Sequence, residues 1–317
     1  MANIPVIPTG TNTHISTNFA KLLEPGLRKI FFETYKELPE QFSKIYNVNT
    51  SKKAKETDYG LGAFGDWVER ADELDTVAYA KIKAGQERTY THKAFTKGFI
   101  IGRELYDDEQ YGQMKKMAKA LARAGRAKVE KDAMTPLKGG FDTFTIYDSL
   151  PLFSAEHTLV DSGSTCSNLV EGPLSEATLK LAMQCMRETV DEAGNLIQLT
   201  PDTLIVPPAL EHVAKAIINS TQITGSNNND VNTLKGAMKI QVMDYLGKAA
   251  GGSDTAWFIQ DSTRHELNFF WRVKPEFKAT EEFDNFTAKY RGYMRYSYGV
   301  SDWRGLVGSK GEVGGGE

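Results

Sequence analysis

Residues 290–305 read YRGYMRYSYGVSDWRG, with cations and aromatic rings interleaved. A surface that grips single-stranded nucleic acid needs that combination, because phosphates attract cations and unstacked bases lie on flat side chains. A half-buried β-strand also accounts for it. Parity separates the two readings, since neighbouring side chains on a strand point to opposite faces. Tyr290, Met294, Tyr296, Tyr298 and Val300 share one parity, whereas Lys289, Arg291, Arg295 and Ser297 share the other, with Tyr293 the exception. A stacking platform would present rings and cations together. The stretch therefore reads as a strand with one face on a core, and a nucleic-acid-binding module using Arg291, Tyr293, Arg295 and Arg304 is the weaker alternative.

The whole chain supports that choice. Its 317 residues carry a net charge of −3, where a dedicated nucleic-acid binder normally carries a basic excess. Cys166 and Cys185 are the only cysteines, too few for a disulfide scaffold, which points to a reducing compartment. The start, MANIPVIPTGTNTH, lacks a basic segment leading into an apolar run, so no signal peptide is expected. No apolar run approaches the roughly 18 residues that span a membrane.

Upstream, FAKLLEPGLRKIFFETYKELP has helical spacing interrupted at Pro25 and Gly26, which predicts a broken helix ending before Pro39. From Ser51 to Gly102 the chain is charged and punctuated by glycine, then alternates in β-type residues around Gly85-Gln86-Glu87. That predicts a long two-stranded excursion with little core of its own. An isolated ribbon is marginal in water, so it needs another surface to lie on, such as a second copy of the chain. Residues 102–140 give the strongest helical signal, with acids at the start (Glu104, Asp107, Asp108, Glu109), cations later, and a stripe of Met114, Met117, Leu121 and Ala124. Ser175 caps a further helix carrying Leu179, Met183, Met186 and Val190 and closed by Gly194; TLIV before Pro207 is a short buried strand. Strands follow in succession from Lys239 to the opening stretch. The sum is an α+β fold.

Candidate chemistry is thin. Gly60-Leu61-Gly62-Ala63-Phe64-Gly65 matches GxGxxG, but a dinucleotide site needs a buried strand before it and a helix after it, and neither is visible. Ser154, Glu156 and His157 sit together in PLFSAEHT, yet a nucleophile and its base must meet in space, which near neighbours in sequence seldom do. His14, His92, His157, His212 and His265 are scattered without ligand spacing. Asp107-Asp108-Glu109 suits a helix start better than a cation site. No catalytic residue, cofactor or metal is expected.

The order of segments is informative in its own right: arm and helix, β excursion, long helix, the PLFSAEHT connection (151–158), an α/β middle, and a closing strand ending in YGVSDWRG (298–305). It resembles the major capsid proteins of tailed phages, the Mu-like major head subunits above all. The resemblance covers nearly the whole chain. It implies the Hong Kong ninety-seven capsid fold, with 1–48 as N-terminal arm and helix, and 49–101 as the E-loop lying over a neighbouring subunit. Residues 102–172 would form the P-domain with its spine helix, 173–261 the axial A-domain, 262–306 the returning P-domain strands, and 307–317 a flexible tail. Subunits of this family build hexamers and pentamers around double-stranded DNA, with scaffold, portal and decoration proteins as further partners. The expected location is the virion, assembled in the bacterial cytoplasm. On this resemblance the subunit-contact residues are Trp67, Arg70, Tyr79, Lys81, Lys83 and Gly85 on the excursion, and Asn227, Asn228 and Asn229 on the axial loop. No coiled-coil-like segment precedes the arm, so no large cleaved pro-region is expected. An encapsulin-type compartment is the alternative within the same fold.

Overall fold

The computed structural model describes residues 19–61, 67, 69, 79, 84–102, 104–105, 108, 111–159, 163–222, 230–282 and 287–312. The helices are α1 (Phe19–Glu37), α2 (Tyr111–Ala133), α3 (Thr135–Lys138), α4 (Glu176–Arg187) and α5 (Glu211–Asn219). The strands are β1 (Asn47–Thr50), β2 (Lys55–Leu61), β3 (Ala84–Thr91), β4 (Lys93–Gly102), β5 (His157–Thr158), β6 (Thr165–Cys166), β7 (Thr203–Val206), β8 (Lys239–Val242), β9 (Trp257–Gln260), β10 (Leu267–Glu282), β11 (Thr287–Val300) and β12 (Leu306–Ser309). They make two four-stranded sheets, β1-β10-β11-β4 and β12-β9-β7-β8, and two small hairpins, β2-β3 and β5-β6. The chain divides into two compact units: 1–38 with 94–126 and 275–294, and 39–93 with 127–274 and 295–317.

In the first unit α1 presents Leu27, Phe31 and Tyr35 at four-residue steps, so all three fall on one buried face. α2 opposes them with Met114, Ala118, Leu121 and Ala122, and the strands add Ile101, Phe277, Ala288 and Tyr290. Ring contacts knit the layer: Phe31 to Phe277 at 5.2 Å and Phe99 stacked on Tyr290 at 5.2 Å. Each such side chain contributes about 1.5–3 kcal/mol of burial. That is why α1 runs unbroken through Pro25, against the sequence expectation of a break. Proline deletes one ladder bond and costs about 3 kcal/mol, which the three buried side chains beyond it offset. Met117, placed on the buried stripe by its spacing, is instead 37% exposed, and Ala118 takes its place. α2 is described from Tyr111; of the acids expected at its start, Asp107 and Glu109 lie outside the described residues.

The second unit packs α4 and α5 on the sheet β12-β9-β7-β8. Leu179, Ala182 and Met186 of α4 and Ala214 and Ile218 of α5 meet Leu204, Val206, Trp257, Ile259 and Val307. Ser175 caps α4 as expected, in a reciprocal box with Thr178. The helix ends at Arg187, earlier than its spacing suggested, because Val190 pairs with Leu196 in a turn that Gly194 makes at φ +96°. β12 corrects another expectation: Leu306–Ser309 is a fully buried strand paired with β9, not the edge of a flexible tail. Val307 joins that core, and burying it holds the segment in place.

Parity in β11 holds where the opening stretch placed it: Ala288, Tyr290, Met294 and Tyr296 are buried, while Lys289 and Arg291 are exposed. It fades after Tyr296. Ser297 is covered by His92, and Gly299 lies so close to the Tyr90 ring that a Cβ there would come within 2.9 Å of it.

His265, at the entry to β10, is 4% exposed, and its Nδ1 accepts the Leu267 N–H at 3.1 Å. Burial pushes its pKa down from 6.5 to about 4, with Asp261 and Asp202 opposing. The folded chain therefore keeps this ring neutral where an unfolded chain protonates it. Stability from this site is complete above pH 6.5 and is lost as the pH falls towards 4, amounting to about 3 kcal/mol. Urea denaturation across that window should show the slope, and His265→Asn, whose Oδ1 can accept the same amide, should flatten it. An unchanged slope in the variant would assign the acid sensitivity elsewhere.

Candidate assembly surfaces

Beyond Ser51 the strands β2 and β3 pair only with each other among the described residues, from Lys55↔Thr91 to Leu61↔Ala84. Their root is fastened by a polar network. Ser51 Oγ donates to Glu56 Oε1 at 2.6 Å and accepts the Lys53 N–H at 3.1 Å. With that hydrogen committed, Ser51 faces His92 Nε2 (3.1 Å) as an acceptor, and Ser297 Oγ closes the chain on His92 Nδ1 at 3.0 Å. This pattern suits a neutral ring. Burial, then Arg295, lowers the His92 pKa, while Glu56 acts the other way. Tyr90, 3% exposed, adds a hydrogen bond to Ser301 Oγ at 2.5 Å and packs on Phe270. Past this root the ribbon is solvated, with Tyr59 64% exposed. In the connection between β2 and β3, Trp67 is 101% and Tyr79 89% exposed.

Several sequence expectations meet the structure here. The β-rich run through His92 is two strands rather than one: β3 stays in the ribbon, while β4 joins the large sheet. Gly85 is not the tip of the ribbon but lies inside β3, next to the Leu61↔Ala84 pair, so the reversal falls between 61 and 84. Arg70, Lys81, Lys83, Asn227, Asn228 and Asn229 lie outside the described residues. So do Gly62 and Gly65 of the GxGxxG match. The strand before that match is exposed over Asp58–Gly60, unlike the buried strand a dinucleotide site requires.

PLFSAEHT and YGVSDWRG, distant in sequence, come together. His157 is fully buried and stacks on Trp303 with centroids 4.6 Å apart and planes at 6°. Its Nδ1 donates to Asp148 Oδ2 at 2.6 Å, and its Nε2 faces Asn168 Oδ1 at 3.2 Å and the Leu152 carbonyl at 3.3 Å. Ser154 Oγ accepts the Glu156 N–H instead, so serine, acid and imidazole do not form a nucleophilic array. The Arg304 guanidinium lies 4.8 Å from the Trp303 ring and pairs with Glu192 (2.9 Å) and Asp302 (3.0 Å). Arg295 Nε is turned to the His92 carbonyl at 3.4 Å. Two arginines of the proposed nucleic-acid stripe are therefore engaged internally, which dismantles that reading. Sequence reasoning missed Asp148, Asn168 and Ser51; buried polar pairs across long separations leave no periodic signal.

The described residues hold no cluster of three side chains able to bind a metal, and none of their helices is long and apolar enough to cross a membrane. What they offer is a rigidly rooted ribbon and exposed aromatics, the equipment of a protein that builds with copies of itself. Comparison with known proteins agrees. Residues 71–309 match the family model described as phage capsid protein, and the chain belongs to that family. A stretch of 77 residues is 31% identical to the major capsid protein of Escherichia phage Mu and spans a quarter of that relative's length. A chain of the procapsid of bacteriophage JBD30 shares the fold over 93% of this chain and 76% of its own, with a TM-score of 0.51 at 16% identity. A chain of the cyanophage P-SCSP1u capsid does so over 84% and 86%, at 0.52 and 12%. The fold is the α+β, Hong Kong ninety-seven type of tailed-phage capsids.

Proposed function

We propose that this chain is the major head subunit of a Mu-like tailed phage, self-assembling without catalysis into hexamers and pentamers that tile an icosahedral shell around double-stranded DNA. The observation that carries the reading is the ribbon β2-β3, fixed at its root and paired with no other described strand, with Trp67 exposed in its connection. A tryptophan buries about 200 Å² when covered, roughly 5 kcal/mol of transfer free energy before the entropy of ordering it. A neighbouring subunit is the surface that recovers it. On this reading 49–101 is the E-loop and 173–261 the axial domain, with Tyr79, Arg70, Lys81, Lys83 and Asn227–Asn229 at subunit contacts. Scaffold, portal and decoration proteins complete the particle, which forms in the host cytoplasm.

Electron microscopy of the expressed chain tests it. Shells or capsomers are expected from the parent, and Trp67→Ala should stay soluble and helical yet form no stable shells. A parent that is monomeric under every assembly condition would sink the reading, and normal shells from the variant would move the contact off Trp67. Protein cargo in place of DNA inside the shells would transfer the chain to the compartment-forming branch of the fold.

A further inference from the structure

Helix α2 is unlike the other helices in its charge. From Tyr111 to Val129 it has six cations and no acid, in a chain whose net charge is −3. Two of the six are used internally: Arg126 is buried over the Tyr35 ring at 4.2 Å, and Lys128 pairs with Asp132 at 2.7 Å. The other four, Lys115, Lys116, Lys119 and Arg123, are exposed and meet no carboxylate among the described residues. On other helices three exposed lysines are paired one turn away: Lys29 with Glu33, Lys180 with Glu176, and Lys215 with Glu211. On α2 the buried face is Met114, Ala118, Leu121 and Ala122; Lys116 and Arg123 lie opposite it, and Lys115 and Lys119 lie on the flank that leads round to them. Lys115, Lys119 and Arg123 repeat every four residues, about 6 Å along the axis, so they form a line of positive charge.

We infer that this face of α2 binds the phosphate backbone of duplex DNA without sequence preference, and so is the part of the subunit turned towards packaged nucleic acid. The inference rests on the shell reading and adds the contact residues. Charge complementarity selects the partner. Unpaired cations in a row fit a polyanion with regularly repeated charge. A protein partner would call for an apolar centre, and the only large apolar side chains exposed on α2, Tyr111 and Met117, lie to either side of the cations, not among them. No base-reading geometry is implied, because phosphate contacts position a duplex without reading its sequence.

The test is fluorescence anisotropy with a labelled mixed-sequence duplex over a series of salt concentrations. It uses the full chain and, in parallel, its Trp67→Ala form, which leaves α2 accessible whether or not the parent closes into shells. Each phosphate contact contributes about 0.9 to the slope of log affinity against log salt, so replacing all four cations by Gln should reduce that slope by about 3.6. The matched variant Lys29→Gln, Lys180→Gln, Lys215→Gln, Lys278→Gln removes the same charge from ion-paired lysines and should leave the slope near the parent's. If the α2 quadruple variant loses its circular dichroism, the double variant Lys119→Gln, Arg123→Gln should still lose about 1.8. Equal losses in both quadruple variants would make net charge the cause and overturn the assignment. So would a Trp67→Ala form that shows no salt-dependent DNA binding while the parent forms shells in micrographs, a result that leaves the shell reading standing. Dependence on the four cations with poly-glutamate but not with DNA would overturn it in favour of an acidic protein partner.

Discussion

Trp303→Ala is expected to lower the unfolding free energy of the soluble subunit by about 3–5 kcal/mol, the range for deleting a large aromatic from a packed site. Trp303 is 2% exposed and serves two neighbours. One face covers the His157 ring at 4.6 Å, and the Arg304 guanidinium lies 4.8 Å from its centroid. Truncation leaves a cavity beside a polar network of Asp148, His157 and Asn168 whose bonds depend on a dry, fixed ring. Urea denaturation of the unassembled chain measures the loss as a shift of midpoint at constant slope. Trp303→Phe keeps a stacking ring and should cost roughly half as much. A loss under about 1 kcal/mol for the alanine variant would mean that the two segments are not held together by this contact.

Glu130→Ala should be comparably severe, at about 2–6 kcal/mol, because two amide donors lose their acceptor at about 1–3 kcal/mol each. Glu130 is 2% exposed on α2, and its two carboxylate oxygens accept the N–H groups of Gln41 and Phe42, each at 3.0 Å. Those amides open the short 3-10 turn Phe42–Lys44, where a helical start leaves N–H groups without partners of its own. Alanine would strand both beneath Phe42, which is fully buried against Phe269 at 4.7 Å. Glu130→Gln keeps one acceptor oxygen but turns an amide group on the second N–H, so an intermediate loss is expected. Hydrogen exchange at Gln41 and Phe42 gives the specific readout: protection there should collapse in the alanine variant before it changes in β7 or β9. Unchanged protection would show that Glu130 does not hold this link.

Much of the fold was legible because it is periodic. The parity of Tyr290 to Tyr296, the four-residue steps of Leu27, Phe31 and Tyr35, and the Ser175 cap are local patterns, and each appears where spacing put it. Pro25 misled because propensity is a local cost, whereas the burial that offsets it involves Phe277, far along the chain. His92 misled for the opposite reason. Nothing in RTYTHKAFTKG marks a division, and the chain changes partners there because Ser51 and Ser297 grip the imidazole from two other segments.

By itself the sequence determined the element types, the sidedness of the closing strand, and the family to which the order of segments belongs. Tertiary structure alone decided which polar groups are spent inside and which remain for partners. Arg295 and Arg304 look like the contact cations in YRGYMRYSYGVSDWRG, yet a carbonyl and two carboxylates hold them. Lys115, Lys116 and Lys119 attract no notice in sequence, Arg123 only as a cation suited to the helix dipole, and none of the four meets a carboxylate among the described residues. The physical reason is that burial and charge pairing depend on distances between segments, and a linear pattern records only the spacing within one.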